Sequence, residues 1–111
     1  MNKGVKTIIY PVTDLNQAKQ FYTTLLGVEP VVAGEYYVGF QVGDQHIGLD
    51  PYTHREGMTS YFHVSDIQKS FQELVDAGAQ VIEEVKDVGG GRLVASVKDA
   101  NGNIIGLSQE A

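Results

Sequence analysis

The chain contains no cysteine. This excludes a disulfide framework, a thiolate nucleophile and any sulfur-ligated zinc or iron–sulfur site, and it fits a reducing, cytoplasmic setting. Basic residues are also few. Eight Lys and Arg stand against fourteen Asp and Glu, for a net charge of -6, and they are scattered along the chain. Such a balance gives no surface that tracks nucleic-acid phosphates, so no nucleic-acid partner is expected. The apolar stretch near the start, in MNKGVKTIIYPVTDLNQ, is interrupted by Lys6, Pro11 and Asp14 and is too short for a secretion signal or a membrane span. No membrane partner is expected either. No Gly-x-Ser-x-Gly elbow occurs, and Gly89-Gly90-Gly91 precedes a strand pattern instead of a helix, which removes the context of a phosphate loop. That triplet reads as a turn or a pocket lid.

What the chain does have is thirteen glycines in 111 residues, above the usual ~7%, and an internal repeat. Thr7 to Leu15 (TIIYPVTDL) recurs as Thr59 to Ile67 (TSYFHVSDI), an offset of 52 residues. In each copy an apolar strand pattern ends in Val, then Thr or Ser, then Asp, and an amphipathic helix follows. Asp14 or Thr13, and Asp66 or Ser65, are placed to accept from the first free helix N–H groups. Leu15, Ala18, Phe21, Tyr22 and Leu25 fall at helical spacing before Gly27, as do Ile67, Phe71, Leu74 and Val75 before Gly78. Three strand patterns follow each helix: 28–33, 36–42 and 46–50, then 80–86, 92–98 and 103–109, with turns at Gly43-Asp44-Gln45 and Asn101-Gly102. The expected fold is α+β, two βαβββ modules forming an open, mostly antiparallel barrel-like cleft. Module one covers residues 1–52 and module two 57–111, with Pro51 to Gly57 as connector. A module of this size is marginal alone, so the two are expected to share a core within one domain.

Strand alternation sorts residues between a face under the helices and an opposite face. The helix face should take Val38, Phe40, Leu49, Phe62, Leu74, Leu93 and Leu107. The opposite face then carries Tyr37, Gln41, His46, Asp50, Tyr61, His63, Arg92 and Ser96. Aromatic rings mixed with hydrogen-bonding groups suit a small-molecule site, and glycines 39, 48 and 106 leave room for one. A plain wet side of an antiparallel sheet is the alternative. Glu83, Glu84, Lys86 and Asp87 read as a charged strand edge that resists aggregation.

Val12, Asp14 and Leu15 with the following Phe21-Tyr22, the Leu26-Gly27 pair and Asp99-Ala100-Asn101-Gly102-Asn103 resemble the vicinal oxygen chelate superfamily, the glyoxalase, bleomycin-resistance and extradiol-dioxygenase group. The resemblance runs from about Val5 to Ser108. It implies paired βαβββ modules around a site, often in a homodimer, and leaves the reaction open. Metal-dependent members take His or Glu ligands from the first and last strands of each module, which the resemblance maps to Thr7, Gly48, Thr59 and Gly106. These offer no ligand set for a divalent ion, so no metal and no cofactor are expected. A relocated site from His46, His54, His63 and Asp50 is the alternative, although His46 and Asp50 stand about 13 Å apart on an extended strand.

The leading functional expectation is metal-free binding of a small organic molecule, as in the drug-sequestering members. The alternative is a lyase or isomerase using His63 or His46 as general base, with Tyr61 or Arg92 steadying an oxyanion. An interaction module with a collapsed cleft is the third.

Overall fold

The computed structural model describes residues 2–52 and 57–111; His54 lies outside the described residues. The elements run β1 (Asn2–Pro11), α1 (Leu15–Leu26), β2 (Val32–Ala33), β3 (Val38–Val42), β4 (Gln45–Asp50), then β5 (Thr59–Val64), α2 (Ile67–Asp76), β6 (Gln80–Asp87), β7 (Leu93–Lys98) and β8 (Ile104–Gln109). The fold is α+β, with βαβββ occurring twice. Neither helix is long and apolar enough to cross a membrane. Two compact units form, one of Thr7–Met58 and the other of Thr59–Ala111 together with the start of the chain up to Lys6.

Each helix starts at the aspartate of the repeated motif. Asp14 takes the amide of Gln17 at 3.0 Å, and Asp66 that of Lys69 at 3.2 Å. Each carboxylate satisfies an N–H that the helix itself leaves open. α1 stops where Gly27 turns into the left-handed region, at φ 71°, and returns its amide to Thr23. The start of α2 has a second acceptor: the side-chain amide oxygen of Gln109 takes the N–H of Ile67 at 2.7 Å.

Within the first unit β4 pairs parallel with β1 and antiparallel with β3, which in turn pairs with β2. In the second unit β8 pairs parallel with β5 and antiparallel with β7, which pairs with β6. Val38, Phe40 and Leu49 close the first core against Ala18. Val64, Ala95 and Leu107 close the second against Ile67. Both clusters lie on the face that alternation assigned to the helices.

Burial differs from expectation at several positions. Phe62, Leu74 and Leu93 pack against the second core yet stay only half-buried. For Phe62 and Leu74 the reason is a groove of about 470 Å³ beside α2 that both residues line. On α1, Phe21 and Leu25 are 57% and 64% exposed, because the apolar stripe is wider than the strip of sheet that covers it. The strand expected over 28–33 is only Val32–Ala33. β6 carries two register irregularities in its pairing with β7, and together with its Glu and Lys residues these blunt it against further strand pairing.

Candidate functional site

The parallel pairing of first and last strand places the same contact in each unit. Ile9 stands opposite Gly48 in β1–β4, and Tyr61 stands opposite Gly106 in β5–β8. Neither glycine faces open space. A Cβ at Gly106 would lie 2.6 Å from Cε1 of the Tyr61 ring, and a Cβ at Gly48 would meet the end of Ile9 at 2.5 Å and Cζ of Tyr37 at 2.8 Å. Real side chains do not tolerate such distances, so the absence of a side chain at 48 and 106 is what lets Tyr37, Ile9 and Tyr61 approach the backbone there.

In the first unit the Tyr37 hydroxyl is 2.6 Å from Nε2 of His46, with the ring planes within 6° of parallel. The imidazole covers Gly39, where a Cβ would lie 2.7 Å from its Cε1. Gln41 and Asp50, two other sequence candidates, are engaged locally. The Gln41 amide donates to the Gly43 carbonyl at 2.9 Å, and the Asp50 carboxylate accepts from the Tyr52 amide at 2.8 Å. Both contacts shape chain turns.

In the second unit Tyr61 and Ser96 are buried, and Ser96 is the antiparallel neighbour of Gly106. His63 pairs in register with Ser108, which is fully buried and accepts a hydrogen bond from Nε of Arg92 at 3.3 Å. Nδ1 of His63 is 3.6 Å from the Glu110 carboxylate. Burial holds the His63 pKa below the ordinary histidine value; Glu110 opposes this, while Arg92, Lys6 and Lys3 reinforce it. The imidazole is therefore neutral near pH 7 and able to accept a proton. Ser108 and Glu110 were not among the sequence candidates. Ser108 follows from counting two residues on from Gly106 along the same face, whereas Glu110 lies past the strand end and carries no pattern.

The metal set implied by family resemblance does not fit these residues. Thr7 and Thr59 are buried, Gly48 and Gly106 have no donor atom, and the space over both glycines is taken by Ile9, Tyr37 and Tyr61. Among the described residues no three His, Asp or Glu side chains come together. His46 instead holds the Tyr37 hydroxyl.

Residues 4–107 match the family model of the Glyoxalase/Bleomycin resistance protein/Dioxygenase superfamily. No curated protein matches the chain. Among solved structures, the hypothetical protein BH1468 from Bacillus halodurans C-125 superposes with a TM-score of 0.79 at 19% identity, covering 99% of this chain and 95% of that one. A glyoxalase/bleomycin resistance protein/dioxygenase superfamily member from Vibrio splendidus 12B01 gives 0.74 at 17% identity, with 100% of both chains covered. A methylmalonyl-CoA epimerase from Mycobacterium tuberculosis gives 0.73 at 19% identity, over 99% of this chain and 89% of that one. At these identities the likeness shows the fold alone.

Proposed function

We propose that this chain, which belongs to the Glyoxalase/Bleomycin resistance protein/Dioxygenase superfamily, binds a small organic molecule without a metal ion, on the sheet faces opposite its helices. The observation that carries the reading is the seating of Tyr37 and Tyr61 over Gly48 and Gly106. Where metal-dependent relatives need ligand atoms, this chain supplies aromatic walls. Beside the Tyr61 wall, within the second unit, Arg92 offers a donor and His63 a neutral imidazole, and the buried Ser108 hydroxyl holds the Arg92 guanidinium in place. A few polar groups set among apolar walls is the usual composition of a small-molecule site.

A second reading, an isomerase or lyase, is favoured by one observation. The lowered pKa of His63 and the Glu110 carboxylate beside Nδ1 suit a general base that takes a proton at neutral pH. Several of the similar solved structures bear the name methylmalonyl-CoA epimerase, and isomerisation of that kind is the form this alternative takes here.

The deciding experiment begins with native mass spectrometry of freshly purified protein, followed by a metabolite panel read by thermal shift. Under the binding reading a small molecule is retained, and Tyr61→Ala weakens its binding by about 1–3 kcal/mol through lost aromatic contact. His63→Gln, which keeps a hydrogen bond but exchanges no proton near neutrality, then leaves affinity largely intact. Under the enzyme reading the same His63→Gln change lowers turnover by about 10²–10⁴ while the ligand still binds. A protein that retains nothing and responds to no metabolite overturns both. The same proposal takes the working form as a homodimer, supported by the large exposed apolar side chains Phe21 and Leu25 on α1.

A further inference from the structure

The two units carry the same groove between helix and sheet, and they fill it differently. In the first unit it runs beside α1, holds about 390 Å³, and has Phe21 and Tyr22 among its walls. The Tyr22 ring is wedged there at 5.3 Å from Tyr10 and 5.3 Å from Phe21. The 52-residue offset of the repeat maps Tyr10 to Phe62, Phe21 to Glu73 and Tyr22 to Leu74. Those three residues line the groove beside α2 in the second unit, which opens to about 470 Å³ over a floor of Ile105 and Leu107. Phe62 keeps the aromatic surface of its counterpart Tyr10, but the ring that would lie against it has been replaced by a leucine.

We propose that the α2 groove is a binding site for a small, neutral, single-ring phenol, which packs against Phe62 as the tilted Tyr22 ring packs against Tyr10. The occupant follows from the chain itself, because in the first unit the Tyr22 phenol covers Tyr10, which is not among the residues lining that groove, whereas the counterpart Phe62 lines the second groove. The apolar floor takes the ring, and Ser70, Lys69 and Glu73 on the rim offer partners for one hydroxyl group. Burial together with Tyr10 raises the pKa of the Tyr22 phenol, so the ring that covers Tyr10 in the first unit is neutral, as the proposed ligand is. The site lies on the helix side of the sheet and shares no residue with the face that carries His63 and Tyr61.

The test titrates p-cresol, which is the tyrosine side chain as a free molecule, into isotopically labelled protein and follows amide shifts by NMR. Saturable shifts at Phe62, Leu74 and Ile105, with a Kd of about 1 mM or below, are expected for a ligand of this size. Leu74→Tyr supplies the missing ring and should weaken p-cresol binding by at least about tenfold. Tyr22→Leu uncovers Tyr10 beside the first groove and should add a second set of saturable shifts around Val12 and Gln17. Should Leu74→Tyr fail to fold, Glu73→Phe places a ring where Phe21 stands and should block in the same way. Non-saturating shifts, shifts confined to the Tyr61 and His63 face, or undiminished binding to folded Leu74→Tyr overturn the proposal. So does concentration-dependent self-association that protects Phe62 and Leu74, which would assign the groove to a second copy of the chain.

Discussion

Tyr61 and Gly106 face each other across the parallel β5–β8 register, and the tyrosine ring lies in the volume that any side chain at 106 would need. The pair is a packing unit: the bare glycine leaves the volume that the ring fills. Ile9 and Gly48 repeat the relationship in the first unit, where Tyr37 adds its hydroxyl end.

Gly106→Ala should destabilise the protein by about 1–3 kcal/mol, the range for forcing an extra methyl into a packed contact. Combining it with Tyr61→Ala removes the clash, so the double variant should lose less than the two single losses added. Urea denaturation of the four proteins gives this coupling. Strict additivity would mean that the ring swings aside at no cost.

The lowered pKa of His63 makes a directional prediction about pH. A histidine whose native pKa lies below its unfolded value of ~6.5 binds fewer protons folded than unfolded across the window between the two. Its stabilising contribution is complete above the unfolded value and is lost as pH falls through the native one. Wild type minus His63→Gln in urea midpoint should therefore increase as pH rises toward 6.5 and level off beyond it. A difference that falls over that window would reverse the assignment of burial as the main cause.

Protein purified and dialysed under mild conditions should carry no stoichiometric zinc, nickel, iron or manganese by elemental analysis. The ground is the ring and methyl packing over Gly48 and Gly106. One ion per chain, released by His46→Ala or His63→Ala, would place a metal site elsewhere and displace the metal-independent reading.

Sedimentation at micromolar concentration should show twice the mass of one chain. If the exposed α1 residues form the contact, Phe21→Ser with Leu25→Ser should shift the protein to the single-chain mass without loss of helix signal. A single-chain mass for the unaltered protein would remove the dimer from the proposal.

Much of the fold was legible in the residues. The repeated Val-x-Asp motif placed both helix starts, because a carboxylate before an apolar helical stripe satisfies N–H groups that nothing else nearby can reach. Alternation set Phe62 against the helix and Tyr61 on the other face, since a strand has a period of two and a slip of one residue would have turned the core outward. The candidates on that opposite face were legible for the same reason.

The partners of those candidates were decided only by the folded chain. Alternation says that Tyr37 and His46 share a face, but the 2.6 Å contact between them depends on strand register, rotamer and the two glycines beneath. Gln41 shares that face and still turns to the Gly43 carbonyl, because a nearby backbone acceptor competes with anything across the sheet. Arg92 reaching Ser108, Glu110 approaching His63 and Gln109 capping α2 join residues from different elements, and no periodicity along the chain encodes such meetings. Exposure followed the same division. The sequence by itself determined which side of each strand and helix is apolar, a property of neighbours one to four residues away. Only the tertiary structure decided how far that side is covered, as at Phe62 and Phe21, because coverage depends on the volume of whatever side chain another element brings to it.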